Sequence, residues 1–263
     1  MSTSDTDNSG ELMGELIKEL SPSYGDAGGV SCASLIAPTD LSNDPLISEL
    51  VFSMLVWEAS LKHAVEASAC IHRELIDLNE LRVCTAGELA AILPSRYPRA
   101  QERSERLLSV LNTIFRREHQ LSLTHLREMN KREVIAYFES IDGLPVFASS
   151  RVILLGLGWH AFPMDDWLTK QLASRGITET SLGIEEQTTR MERLVRASDS
   201  LKYYTLVEHW ASDLRRAKST AGSKSKKTSK KTTSKAKSAT KTPVKAPAKS
   251  SAKATATKSK GTS

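Results

Sequence analysis

Residues 46–57, Leu-Ile-Ser-Glu-Leu-Val-Phe-Ser-Met-Leu-Val-Trp, constrain the fold more than any other stretch of the chain. Wound into a helix, they place apolar side chains on nearly every side, and such a helix is stable only when neighbours cover all of it. Pro45 pre-sets the first turn, and Asn43 or Asp44 supplies the cap. The pattern therefore predicts a helix from Leu46 to about Ile76, lying in the middle of a bundle.

The remainder of the chain supplies the covering helices. Thr85-Ala86-Gly87-Glu88 has capping-box spacing and opens a short helix that Pro94 closes. Pro98 to His119 carries Leu107, Leu108, Leu111, Ile114 and Phe115 as an inner stripe, with five arginines on the other faces. A second capping box, Asn130-Lys131-Arg132-Glu133, starts a helix through Phe138. That helix stops at Ile141-Asp142-Gly143-Leu144-Pro145, where Gly143 takes φ > 0 and Pro145 sets up a new start. Val146 to Leu157 is strongly apolar, with Ala148, Ser149 and Ser150 small enough for close helix approach. Asp165-Asp166 then open a helix carrying Trp167, Leu168 and Leu172, which Gly176 ends. Helices near Ile184–Ala197 and Ser200–Arg216 follow, the last expected to bury Leu201, Tyr204, Leu206, Val207 and Trp210. Period-2 strand patterns are missing, so the reading is an all-α, two-lobed domain of about eight helices over 45–216, without an internal repeat.

The two ends differ from this middle. Residues 1–44 are acidic and rich in Ser and Gly; they are expected to be disordered, with Leu12 to Leu20 as one amphipathic run able to dock as a helix. Residues 217–263 hold 14 lysines, no arginine and no acidic residue, and with Pro243 and Pro247 they are expected to be disordered too. The pI near 9.0 thus describes the tail. Its Lys/Ala/Pro composition is similar to linker-histone tails. Lys224, Lys226, Lys227, Lys230 and Lys231 are expected to bind phosphates without reading sequence, steeply dependent on salt. As a coil the tail reaches roughly 35–40 Å, far enough to tether the fold to neighbouring duplex.

Cys32, Cys70 and Cys84 show neither zinc-site spacing nor a disulfide framework. The six histidines share no ligand spacing either, so no metal is expected. The N-terminus has no signal-peptide pattern, and no apolar run approaches the ~18–20 residues a bilayer span needs. The expectation is a soluble monomer in the cytoplasm, nucleoid-associated if the source is bacterial.

The order hairpin, Gly-Trp, aspartate resembles the endonuclease III superfamily of helix-hairpin-helix DNA glycosylases. That family's hairpin reads roughly L-P-G-V-G-x-K-T-A, matched here by Ile141-Asp142-Gly143-Leu144-Pro145-Val146-Phe147-Ala148-Ser149. Its F-G-W followed by V-D is matched by Leu157-Gly158-Trp159 followed by Met164-Asp165. The spacing from hairpin to aspartate is kept without a gap, and weaker similarity covers about residues 44–216. The resemblance implies double-stranded DNA as partner and Asp165 as the catalytic carboxylate, which stabilises positive charge on the sugar or orients the nucleophile as a flipped base departs. It also implies DNA contacts at Gly143, Leu144, Phe147 and Glu58, with Glu58 at the helix-embedded position that fills the gap left by the base.

The residues read by themselves leave plainer roles open. Any Asp before Asp166 caps a helix well, and Glu58 also suits a solvated helix position. Three departures from the family limit its chemistry. Pro145 stands at the second hairpin glycine and has no N–H, which removes one anchoring bond worth roughly 1.5–3 kcal/mol if charge-assisted. Phe147 stands at the Schiff-base lysine, so strand cleavage by an amine nucleophile is lost while base removal by aspartate and water remains. The four-cysteine loop of many members is missing, so no iron–sulfur cluster and no other cofactor is expected. A catalytically silent DNA-binding protein on the same fold is the competing expectation.

Overall fold

The computed structural model describes the backbone of residues 3–25, 35 and 42–233, and the side chains of residues 8–25, 35 and 42–218. The chain divides into two units, Met1–Thr220 and Ala221–Ser263. Among the described residues the regular structure is helical throughout: α1 (Thr3–Tyr24), α2 (Pro45–Val56), α3 (Leu61–Glu74), α4 (Leu78–Val83), α5 (Ala86–Ile92), α6 (Ala100–Glu118), α7 (Lys131–Glu139), α8 (Val146–Arg151), α9 (Asp166–Ala173), α10 (Ile184–Leu194) and α11 (Ser200–Thr233). No helix among the described residues is long and apolar enough to cross a membrane.

Helix α2 occupies the centre, as its composition requires. Every residue from Leu46 to Val56 is buried, Ser48, Glu49 and Ser53 included, and α3, α6 and α8 pack around it. Asp44 is its cap: one carboxylate oxygen accepts from Leu46 N–H at 2.8 Å, and the other ties in Ser122 Oγ at 2.8 Å and Leu123 N–H. The continuous helix expected to about Ile76 breaks at Trp57–Ser60. Ser60 caps α3 by accepting from His63 N–H, and this local start competes with the helical period running through it. Both capping boxes, Thr85/Glu88 and Asn130/Glu133, are present with their reciprocal bonds.

Helix α8 continues from Val152 to Gly156 as a π-helical turn, with Leu157 N–H reaching Val152 O at 3.0 Å. Gly156 allows this turn to lie directly on α2, since a Cβ there would stand 2.8 Å from Leu46 Cδ2. The core beneath holds a buried cation. Arg151 is fully enclosed and donates to Tyr204 Oη (2.8 Å), Ser53 Oγ (3.1 Å), Leu35 O (2.5 Å) and Glu49 Oε1 (3.3 Å). Burial acts against its charge, but Tyr204, Glu49 and Glu208 together outweigh that cost, and the guanidinium is held above its ordinary pKa.

Two expectations about the ends are corrected. Residues 3–24 form a helix, not a disordered segment. Met13, Leu16, Ile17 and Leu20 are buried, Glu19 makes two bonds to Arg175 (2.7 and 3.0 Å), and Ser9 Oγ accepts from Arg190. The amphipathic run is long enough to bury one face against α10, and this outweighs the polar composition around it. At the other end α11 is helical to Thr233, across the first part of the stretch expected as coil, and no proline intervenes before Pro243. The side chains of Lys224, Lys226, Lys227, Lys230 and Lys231, and all of 234–263, lie outside the described residues. Within α11, Leu201 is exposed instead of buried, and Ala211 takes a place in the core.

Candidate active site

A cleft of about 420 Å³ opens where the α2–α8 group meets α9 and α10. Trp57 and Glu58 contribute from the α2–α3 turn, Arg106 from α6, and Pro145 to Phe147 from the hairpin. Met164 to Asp166 and Gly183 to Glu185 complete it. The first residues of α8, α9 and α10 all face this space. Their positive dipole ends therefore converge on it.

Asp165 lies at the floor and is 5 % exposed. Its Oδ1 caps α9 by accepting from Leu168 N–H at 2.7 Å. Its Oδ2 accepts from Glu58 N–H at 3.2 Å and from Arg215 Nη2 at 2.9 Å. Asp165 thus caps α9 and also lines the cleft. A carboxylate has about four acceptor sites, so three bonds leave about one for an incoming group. Arg215, on α11, is a partner that the sequence reading missed; nothing local marks a contact fifty residues away.

Glu58 is not embedded in a helix as expected. It sits in the break after α2 with φ 50°, and its carboxylate pairs with Arg99. Arg99 is left-handed too, with φ 50°. Two strained non-glycine residues joined by an ion pair at the cleft rim cost on the order of 1–2 kcal/mol each, and strain of this kind clusters at binding sites. Trp57 is half-buried beside them. The guanidinium carbons of Arg106, Arg103 and Arg99 lie 4.8, 5.7 and 5.8 Å from its ring centroid.

At the hairpin, Leu144 N–H donates to Ile141 O at 3.2 Å, closing a tight turn with Gly143 at φ 81°. This geometry occupies the Leu144 donor. It leaves Gly143 exposed at the tip, and among the described residues nothing accepts from its N–H. Phe147 is only 2 % exposed, with Arg151 5.8 Å from its ring. The first turn of α8 points Phe147 into the core, and part of it borders the cleft.

No family model and no curated protein sequence matches the chain. Solved structures do. The 3-methyladenine DNA glycosylase MagIII of H. pylori, solved with 1,N6-ethenoadenine, superposes with a TM-score of 0.54 at 13% identity, covering 81% of this chain and 98% of that one. An endonuclease III trapped as a covalent intermediate with DNA gives a TM-score of 0.56 at 10% identity, covering 79% and 85%. The chain has the all-helical fold of the endonuclease III-like DNA glycosylases.

The chain has three cysteines, and of the two described, Cys84 Sγ donates a hydrogen bond to Glu80 O on α4. Among the described residues no group of three His, Cys, Asp or Glu side chains is placed to hold a metal ion.

Proposed function

We propose that the protein binds double-stranded DNA and excises a damaged or mispaired base by a monofunctional route, Asp165 assisting and no strand cleavage following. The observation that carries this reading is the shared cleft: Asp165, the hairpin residues Pro145 to Phe147, and the Trp57–Glu58 turn all line one opening of about 420 Å³. That volume lies in the range of small-molecule sites, roughly 300–1,000 Å³. In this reading Trp57 offers an aromatic face to an everted base, and the Asp165 carboxylate stabilises the positive charge that develops on the sugar. The absence of an amine at Phe147 removes the lyase step. The Lys-rich tail holds the fold near duplex, and the protein acts as a monomer without a cofactor.

A second reading is favoured by one specific observation. Arg215 already neutralises Asp165, which weakens the field a departing base requires, as expected of a DNA-binding protein that kept the fold without the chemistry. Duplexes carrying uracil, oxidised pyrimidines, alkylated purines or mismatches, incubated with the protein and heated in alkali, separate the two. Excision that disappears in Asp165→Asn supports the enzyme. Equal inertness of wild type and variant, with duplex binding intact, establishes the binding protein.

A further inference from the structure

Arg106 stands between the hairpin tip and Trp57. Its Cγ lies 3.7 Å from the position a Gly143 Cβ would take, and its guanidinium carbon lies 4.8 Å from the Trp57 ring centroid. The side chain is about one-third exposed, and its nearest carboxylate oxygen, Glu102 Oε1, is at 3.9 Å, the long limit of an ion pair. Around it stand Arg99, the left-handed residue just before α6, and Arg103 within α6, four and three residues apart in the order Arg99, Arg103, Arg106. Against these three cations stand Glu58, which pairs with Arg99, and Glu102, shared between Arg99 and Arg106. These three cations exceed the two carboxylates by one; Asp165 (paired with Arg215), Asp166 and Glu185 also line the cleft. Of the three arginines, Arg106 is the one that lines the cleft.

The hairpin next to it is short of donors. Pro145 has no N–H, Leu144 N–H is used within the turn, and the free Gly143 N–H is left alone at the tip. A single neutral amide holds a phosphate weakly, whereas a guanidinium presents two parallel N–H groups to two phosphate oxygens. The indole stack restrains the guanidinium beforehand, lowering the entropy lost on binding.

We infer that Arg106 and the Gly143 N–H together clamp one backbone phosphate of duplex DNA, Arg106 replacing the donor that Pro145 lacks. The inference rests on the reading of the hairpin as DNA-binding, and it requires no catalysis. The clamped phosphate sits at the mouth of the Asp165 cleft, so it sets the register of the strand whose nucleotide enters.

The test uses the full chain and an end-labelled, undamaged duplex, with Kd measured by fluorescence anisotropy across a salt series. Arg106→Gln should weaken binding about tenfold and reduce the slope of log affinity against log salt by about 0.9, the value for one phosphate contact. Arg106→Lys should keep the slope and recover only part of the affinity, because it keeps the charge and loses the fork. Arg116→Gln, about 15 Å further along α6, should leave the slope as in wild type. Thermal melts of all three confirm folding. A wild-type slope in Arg106→Gln, or an equal loss in Arg116→Gln, overturns the clamp. If the slope falls as stated and no lesion is excised, the clamp stands and the excision reading fails; if the wild type does not bind duplex, both fail.

Discussion

Arg215 Nη2 lies 2.9 Å from Asp165 Oδ2, and the two side chains are 17% and 6% exposed. This pair joins the first residue of the α9 cap to α11, with Trp167 packed beside it, 5.2 Å from the Arg215 guanidinium carbon. It makes Asp165 at once a structural hub and the acceptor facing the cleft. Removing Arg215 leaves a buried carboxylate with two backbone N–H donors and no counter-charge. Losing one partner of a fully buried pair costs about 3–5 kcal/mol. Arg215 keeps some contact with solvent and Asp165 keeps its other bonds, so Arg215→Gln should cost about 2 kcal/mol. Asp165→Asn should cost a similar amount, since an amide NH₂ turned toward Glu58 N–H and Arg215 sets donor against donor. The double variant should lose less than the sum by about 1–2 kcal/mol. Urea unfolding of the four proteins measures this coupling, and additive losses would show that the ion pair contributes nothing.

The Arg151 network makes a sharper prediction because it has no route to solvent. Arg151 binds Glu49, Ser53, Tyr204 and the Leu35 carbonyl, and Ser53 Oγ also donates to Glu49 at 2.9 Å. Arg151→Met fills much of the volume but leaves Glu49 buried without its cation. A loss of at least ~3 kcal/mol follows. Arg151→Met combined with Glu49→Gln should regain part of it. The readout is the denaturant midpoint at unchanged m; a loss below ~1 kcal/mol for Arg151→Met would mean that the network relaxes or admits water.

Glu208 gives the stability a pH dependence. Burial pushes its carboxyl up from an ordinary value near 4.5 to about 6, against the lowering effect of Arg151 and with a further push from Asp165. Its pKa is higher in the folded chain than in the unfolded one, so between those values the folded state binds more protons. The stabilisation is therefore fully present below about pH 4.5 and is lost as pH rises through about 6. The difference amounts to about 2 kcal/mol. Glu208→Gln retains an acceptor for Tyr204 Oη and removes the titration. The stability of wild type minus that of Glu208→Gln should accordingly fall across pH 4.5–6.5, and a flat difference would rule this titration out.

What the sequence disclosed follows from how local each cause is. The Asp44, Thr85, Asn130 and Asp165 caps depend on side chains two or three residues from the N–H they accept, so Thr85 and Asn130 were legible outright, Asp44 as one of two candidates with Asn43, and Asp165 as one of two roles. The left-handed Gly143 was legible for the same reason. The hairpin-to-aspartate spacing was legible as a resemblance to a known family, and the structure brings Pro145 to Phe147 and Asp165 to one opening. The break at Trp57–Ser60 was hidden because the apolar period passes through it unbroken. The burial of Phe147 beside the hairpin was not legible, since the rotation of a short helix about its axis is set by neighbours distant in sequence. Arg106, Arg151 and Arg215 had no signature at all, being three among many arginines whose partners come from other elements.

Gly156 offers a prediction about the packing beneath the cleft. It ends the π-helical turn after α8, and a Cβ added there would meet Leu46 Cδ2 at 2.8 Å. Leu46 is fully enclosed at the start of α2, so the methyl group cannot move into solvent. Alanine would ordinarily gain about 0.5–1 kcal/mol over glycine in a helix. Here overpacking of about 1–3 kcal/mol opposes that gain, and Gly156→Ala should be destabilising by about 1 kcal/mol net. Shortening the obstacle reverses the sign: in a Leu46→Ala background the added methyl enters vacated space, so Gly156→Ala should be neutral or stabilising. Thermal and urea unfolding of the four proteins decide it. The same destabilisation in both backgrounds would place the strain in the backbone of the π turn and not in its contact with α2.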